Sequence, residues 1–162
     1  MLDIDVFFKK IRKKSRLIGI DPGGKRIGIS ISDENKIVAT PYTTIIKENY
    51  PDLLSKIKKI VKEYKIEGIV IGNPINMDGS EGPSSQSAKD LAINLSKDIT
   101  ENITLWDERL SSQGAFNLSN ELATNSSKKV KKLDENSAQF ILQGLLDLYH
   151  KKNTWYNIVK GL

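Results

Sequence analysis

The spacing of apolar residues changes period once along this 162-residue chain, and that change constrains the fold more than any other feature. Up to about residue 46 the pattern is that of short strands. Arg16-Leu17-Ile18-Gly19-Ile20-Asp21 is an apolar run closed by an acid, the pattern of a buried strand. Pro22-Gly23-Gly24 is turn chemistry, and Ile27, Ile29 and Ile31 then alternate with Gly28, Ser30 and Ser32 at the period of two of a second strand. After a turn at Asp33-Glu34-Asn35, the stretch from Ile37 to about Ile46 reads as a third strand, interrupted by Pro41. Three strands joined by tight turns make an antiparallel meander.

Beyond that point the period becomes helical. Leu53, Leu54, Ile57, Ile60, Val61 and Tyr64 recur at helix spacing, with Pro51 suited to the first turn. Ile66 to Gly72 is an unbroken apolar strand, the pattern of a strand covered on both faces. A polar loop from Asn73 to Gly82 leads to a helix over about Pro83 to Ile99, and Ile103-Thr104-Leu105-Trp106 is a fifth strand. A helix from roughly Ser111, a polar stretch from Asn125 to Lys132 and a last helix from Asp134 to about Lys151 complete the order β-β-β-α-β-α-β-α. A meander followed by two α–β crossovers predicts an α/β fold, a mixed five-stranded sheet flanked by helices. That is also the element order of the ribonuclease H-like fold, although order alone does not establish function. Residues 1–15 read as a basic leader, 16–151 as the domain and 152–162 as a C-terminal tail.

Composition narrows the chemistry. The chain has 0 Cys, which removes disulfides, thiolate zinc sites, iron–sulfur clusters and cysteine nucleophiles. A single His, His150, leaves no His-rich metal site. What remains is carboxylates, hydroxyls, Lys and Arg, hard oxygen ligands that suit magnesium or manganese. Lys+Arg number 25 against 20 Asp+Glu, a net charge of +5 that favours polyanionic partners. The basic residues cluster at Lys9, Lys10, Arg12, Lys13, Lys14 and Arg16, and again at Lys128, Lys129, Lys131 and Lys132. The N-terminal residues carry acids before a short apolar patch and basics after it, the reverse of a secretory signal, so the expected location is the cytoplasm.

Three acid positions stand at the edges of elements. Asp21 closes the first strand, Asp107 and Glu108 close the fifth, and Asp134 opens the last helix. If the first and fifth strands lie near each other, these ends converge, and three carboxylates together repel one another unless a cation sits between them. Two magnesium ions about 4 Å apart are a known arrangement for phosphodiester cleavage. Each acid also has a plainer role: Asp21 can cap its turn, Asp134 its helix, and Asp107 and Glu108 can pair with Arg109. Because side chains alternate along a strand, only one of Asp107 and Glu108 faces the site; Glu108 is preferred, with Asp107 the alternative.

The motifs carry a resemblance. Asp21-Pro22-Gly23-Gly24-Lys25-Arg26-Ile27-Gly28 with Ser32-Asp33 resembles the D-x-G-x-K-R-I-G…S-D opening of the YqgF/RuvX family. Gly72-Asn73-Pro74-Ile75-Asn76-Met77-Asp78-Gly79-Ser80-Glu81 is similar to its G-x-P-x-N-M-D-G-[ST]-E loop. Asp107-Glu108-Arg109-Leu110-Ser111-Ser112 resembles its D-E-R-L-[ST]-[ST] block, and Asp134-Glu135-Asn136-Ser137-Ala138 running into Ile141-Leu142-Gln143 its final helix. The blocks occur in family order from residue 17 to about 147. The resemblance implies a ribonuclease H-like fold, Asp21, Glu108 and Asp134 as metal-binding catalytic acids, and maturation of the 5′ end of small-subunit ribosomal RNA. It departs from resolvases of the RuvC type, which place an acid at the end of the fourth strand, where this chain reads Ile71-Gly72-Asn73-Pro74.

Other motif residues have physical roles to propose. Lys25 and Arg26, just beyond Asp21, are placed to hold a phosphate. Gly23, Gly24 and Gly28 allow close backbone approach or φ > 0. Asn76, Asp78 and Ser80 either touch a nucleic-acid backbone or stabilise their own turns. Arg109 bridges to a phosphate or orients its acidic neighbour. Trp106 reads as core, and Ser84, Ser85 and Gln86 as either a helix cap or an anion site. The favoured reading is a nuclease using two Mg²⁺ or Mn²⁺ ions on structured, ribosomal-precursor RNA. The alternatives are a branched-DNA (Holliday-junction) resolvase and a non-catalytic nucleic-acid-binding module.

Overall fold

The structure is a computed structural model that describes residues 1–110 and 126–161, with the backbone alone for 126–135. The period-two segments form β1 (Arg16–Pro22), β2 (Arg26–Ser32) and β3 (Ala39–Ile46), paired antiparallel in sequence as the meander requires. The two crossovers add β4 (Ile66–Asn73) and β5 (Asn102–Asp107) in parallel on the other side of β1, so the strand order is β3-β2-β1-β4-β5. The mixed five-stranded sheet is therefore as expected, and β1 is its centre. The expected helix from about Ser111 lies outside the described residues.

Alternation along the strands gives the sheet two unlike faces. Ile18, Ile20, Ile27, Ile29, Ile31, Ile69 and Ile71 point to one face, where they pack under α2 (Tyr50–Tyr64) and α3 (Pro83–Asp98). α2 starts where the Asn49 side chain accepts from the Asp52 N–H at 2.9 Å, with a proline in its first turn, and ends at Lys65 in the left-handed region (φ 52°). It buries Leu53, Ile57, Ile60 and Val61 at helical spacing.

The opposite face is built of small residues. A Cβ on Gly19 would stand 2.7 Å from the Leu142 Cβ and 2.8 Å from the Ala138 carbonyl oxygen, and a Cβ on Gly68 would stand 2.7 Å from the Phe7 ring. Two further helices lie against it: α1 (Ile4–Lys10), with Phe7 fully buried, and α4 (Ser126–Val159). α4 places Ala138, Ile141, Leu142, Leu145 and Leu146 in the core at spacings of three and four. Ser30 Oγ donates to the Ala138 carbonyl at 2.7 Å, and Gln143 Oε1 accepts from the Ala39 N–H at 2.8 Å, so β2 and β3 hold α4 by hydrogen bonds as well as packing.

Several boundaries differ from expectation for physical reasons. The last helix begins at Ser126, inside the stretch read as polar linker, and continues to Val159 through residues read as a tail. Lysines are good helix formers, so a polar run does not by itself mark a loop. The leader is an element of the fold: Leu2 pairs beside Thr104, its N–H donates to the Ile103 carbonyl at 2.7 Å, and it thereby covers the outer edge of β5. Pro41 does not interrupt β3. The register with β2 passes from Ile29↔Thr43 to Ser30↔Pro41, making Tyr42 the extra residue of a bulge on an edge strand, where proline is tolerated.

Gly19→Ala is expected to destabilise the protein by about 1–3 kcal/mol, because the new methyl meets helix backbone that cannot turn aside. Gly24→Ala, with nothing within 4 Å of its Cβ position, is the control and should be near neutral. Urea denaturation of both variants checks the pair.

Candidate active site

The parallel strands β1, β4 and β5 end together, and their alternation decides which side chains meet there. On β1, Leu17 and Gly19 face α4, so Asp21 does too; on β5, Thr104 and Trp106 set the same parity, which carries Glu108 to that face just past the strand end. Between them β4 contributes Gly72. A Cβ there would stand 2.4 Å from the Ile141 side chain and 3.3 Å from the carboxyl carbon of Glu108. The Glu108 carboxyl is thus lodged over the end of β4 against α4.

That position explains its electrostatics. Burial pushes the Glu108 carboxyl up from the usual 4.5 to about 7, and the charges of Asp21 and Asp107 push the same way. Asp107 has the opposite fate. Its carboxylate accepts from the Arg109 Nη2 at 2.7 Å and from the Arg109 backbone N–H at 3.0 Å, and the guanidinium holds it below the usual carboxylate range. Of the two candidates in this block, Glu108 is the one brought to Asp21, and Asp107 is paired with Arg109. Asp134 lies in the first part of α4, one turn before Ala138; its side chain is outside those described. Among the described residues no group of three potential metal ligands is present.

The other motif residues fall into place unevenly. Lys25 is exposed in the β1–β2 turn, and Arg26 opens β2 opposite Ile46. Beside that turn a cavity of about 290 Å³ is bounded by Gly23, Gly24, Lys47, Ser84 and Ser87. Gly23 and Gly24 do not use φ > 0; Gly79 does, at φ +87°. Asn76, Asp78 and Ser80 bond to one another: Asn76 Nδ2 donates to Ser80 Oγ at 2.9 Å and Ser80 Oγ to Asp78 at 2.6 Å. Arg109 lies 3.7 Å from the Cβ position of Gly79 and near Asp78, so it ties this loop to the end of β5. Trp106 is in the core, as expected. Asp33, from the first motif, caps the β2–β3 turn at the far end of the sheet, where its Oδ1 accepts from the Ile37 N–H at 2.7 Å and the Val38 N–H at 2.9 Å.

Sequence reasoning missed one buried contact. Ser85 Oγ donates to Asn73 Oδ1 at 2.6 Å, tying the end of β4 to the start of α3 and taking Ser85 out of any anion site. Asn73 shares its parity with Ile69 and Ile71, so its side chain faces α3. The strand-four position facing the carboxylates is Gly72, where a larger residue would meet the Ile141 side chain, which would have to move aside.

A ribonuclease H-like strand order with two acids converging at the ends of β1 and β5 defines the class. The fold has solved counterparts: two structures of RuvC from Thermus thermophilus, one in complex with a Holliday junction substrate, match with TM-scores of 0.51 and 0.50 at 9% and 8% identity, covering 86% and 85% of this chain and 96% and 95% of theirs. A sequence model of the RuvX family, described as Holliday junction resolvase, matches residues 15–148. A protein of Pelagibacter ubique named "Putative pre-16S rRNA nuclease" is 53% identical over 147 residues, 91% of this chain and 97% of its own. A protein of the same name from Rhodobacter capsulatus is 41% identical over 144 residues, 89% of this chain and 91% of its own. The chain belongs to the RuvX family. Among the described residues no helix is long and apolar enough to cross a membrane.

The Glu108 shift has a consequence for stability. Its folded pKa lies above the unfolded value, so the protonated form favours the fold; the contribution is full below about 4.5 and lost as pH rises through about 7, a change on the order of 3 kcal/mol. In chelator, the melting temperature of the wild type is expected to fall more between pH 5 and pH 8 than that of Glu108→Gln. Parallel pH profiles for the two proteins would remove burial of this carboxylate as the cause.

Proposed function

We propose that this protein is a metal-dependent nuclease that trims the 5′ end of precursor 16S ribosomal RNA in the cytoplasm. The observation that carries the reading is the convergence of Asp21 and Glu108 on one face at the ends of β1 and β5, with Glu108 half-buried against α4. The names of the two relatives supply the substrate.

The donor set suits a hard divalent ion. Two carboxylates raise each other's cost of ionisation in a half-buried place, and a cation between them reverses that cost. Asp21 and Glu108 would hold it, and Asp134, one turn from Ala138 on the helix that packs over Gly19, is the third acid we assign. Bound magnesium or manganese would supply the Lewis acidity that lowers the pKa of the attacking water and offsets charge on the leaving oxygen. The reaction is in-line attack of water at phosphorus with cleavage of the P–O3′ bond. Lys25 and Arg26, at the turn next to Asp21, orient phosphates beside the cleaved bond. Arg109 is held by Asp107 and reaches the loop of Asn76 and Asp78, so these three meet the RNA backbone beside the carboxylates.

Cleavage of a labelled precursor 16S RNA fragment, with a four-way DNA junction alongside, tests the reading. Asp21→Asn, Glu108→Gln and Asp134→Asn are each expected to lower RNA cleavage at least about 100-fold, the scale of losing one preorganised charge. Chelator should abolish it. Cutting of the junction alone would replace the substrate with branched DNA, the activity named in the family description. Binding without cutting of either substrate would leave a non-catalytic module.

A further inference from the structure

The sheet has a second end, and its chemistry is the reverse of the first. At the start of β1 and β4, about 17 Å along β1 from Asp21, a cavity of about 560 Å³ opens between the α1–β1 loop, the last turns of α2 and the loop after α3. Its cationic wall is Arg12, Lys58, Lys62 and Lys65; its acids are Asp98 and Glu101. Asp98 is already engaged, accepting from the Tyr50 hydroxyl at 2.7 Å. Lys58 and Lys62, four apart, share one face of α2 about 6 Å apart along the axis, and Lys65, the left-handed residue that ends the helix, lines the same cavity. Such like-charge neighbours disfavour the helix, and the preference of a helix C-terminus for cations does not extend to Arg12, which comes from another element.

Arg12 is held in place by buried charge. Glu67, 8% exposed, accepts from both the Arg12 backbone N–H and its Nε, the latter at 2.5 Å, while the Arg12 side chain stays 82% exposed. Lys36, with no exposed surface, donates its Nζ to the carbonyls of Arg12 and Lys13, and its own carbonyl lies 2.7 Å from His150 Nε2 on α4. Two buried ionic groups thus fix the loop that presents Arg12, a preorganisation that lowers the ordering cost of binding an anion. The apolar residues of the cavity, Val61, Ile66 and Ile99, are all under 9% exposed, so its mouth offers charge with no apolar anchor for a membrane or a protein partner.

We propose that this face is a second contact for RNA, in which Arg12, Lys58, Lys62 and Lys65 neutralise backbone phosphates of a part of the substrate remote from the cleaved bond. The inference rests on the RNA substrate class of the reading above. It predicts that one RNA spans both ends of the sheet, which a short single-stranded piece cannot do.

The test is Lys58→Gln, Lys62→Gln and Lys65→Asn combined, the Asn chosen because it tolerates the left-handed backbone at 65. A matched control removes three exposed lysines elsewhere, Lys59, Lys151 and Lys160. Fluorescence anisotropy with a long hairpin RNA, in chelator and over a range of KCl, reads affinity and its salt slope; thermal melting verifies that both variants fold. The first variant should bind roughly tenfold or more weakly near 0.1 M salt, with the slope reduced by about three, while its binding of a short single strand and its turnover at saturating RNA stay at wild-type values. Equal losses in both variants would overturn the proposal. So would a polyglutamate peptide binding the wild type as tightly as the hairpin does. Binding in chelator does not need cleavage, so absence of nuclease activity with the slope change intact would sink the carboxylate reading and leave this one standing.

Discussion

The close approach of α4 to the small-residue face of the sheet is the contact on which the candidate site depends. Gly19 leaves room for the Ala138 carbonyl and Leu142, Ser30 bonds that carbonyl, and Gly72 leaves room for Ile141. Each is a position where a Cβ, or a longer side chain, would push the helix outward. Only because Ile141 reaches into the space above Gly72 does Glu108 find an apolar wall beside its carboxyl group, and the raised pKa follows from that wall before it follows from the neighbouring acids. Packing and electrostatics at this end of the sheet are one arrangement.

Much of this was legible in the alternation of the first two strands. Isoleucine at every second position, with glycine or serine between, states that one face is thick and the other thin, and it also sets the parity that carries Asp21 to the thin face. On β5 alternation says only that Asp107 and Glu108 part company; the contact of Glu108 with the Gly72 position distinguishes them. What alternation cannot report is contact between residues distant in the chain. The Asn73–Ser85 bond, the pairing of Leu2 along β5 and the Lys36 contacts with the α1–β1 loop span 12 to over 100 residues and leave no local period. The start of α4 at Ser126 was hidden for another reason: its first turns are lysine- and serine-rich, a composition that helices and linkers share.

Buried charge is costly unless paired, so its location indicates where a fold requires rigidity. Among the described residues the fully buried cation is Lys36 and the most buried acid is Glu67, and both serve the loop before β1 rather than the end where Asp21 and Glu108 stand. The core has an apolar means of holding most of its connections. This loop carries Arg12, Lys13 and Lys14, and no apolar side chain stands between Ile11 and Leu17, so hydrogen bonds to its carbonyls and N–H groups are what can fix it.

The three residues Asp107, Glu108 and Arg109 show how a strand end separates like groups. Adjacent in sequence, the two carboxylates leave the strand on opposite sides. One meets a guanidinium and is held ionised; the other meets the helix and shifts toward neutrality. Divergent environments for neighbouring acids are the usual way a site assigns different roles to the same chemical group. Here the assignment needs no difference in residue type beyond one methylene, only the period of two. An insertion of one residue in β5 would exchange the two positions, moving the Arg109-paired carboxylate against α4 and exposing the other, while leaving the composition of the motif intact.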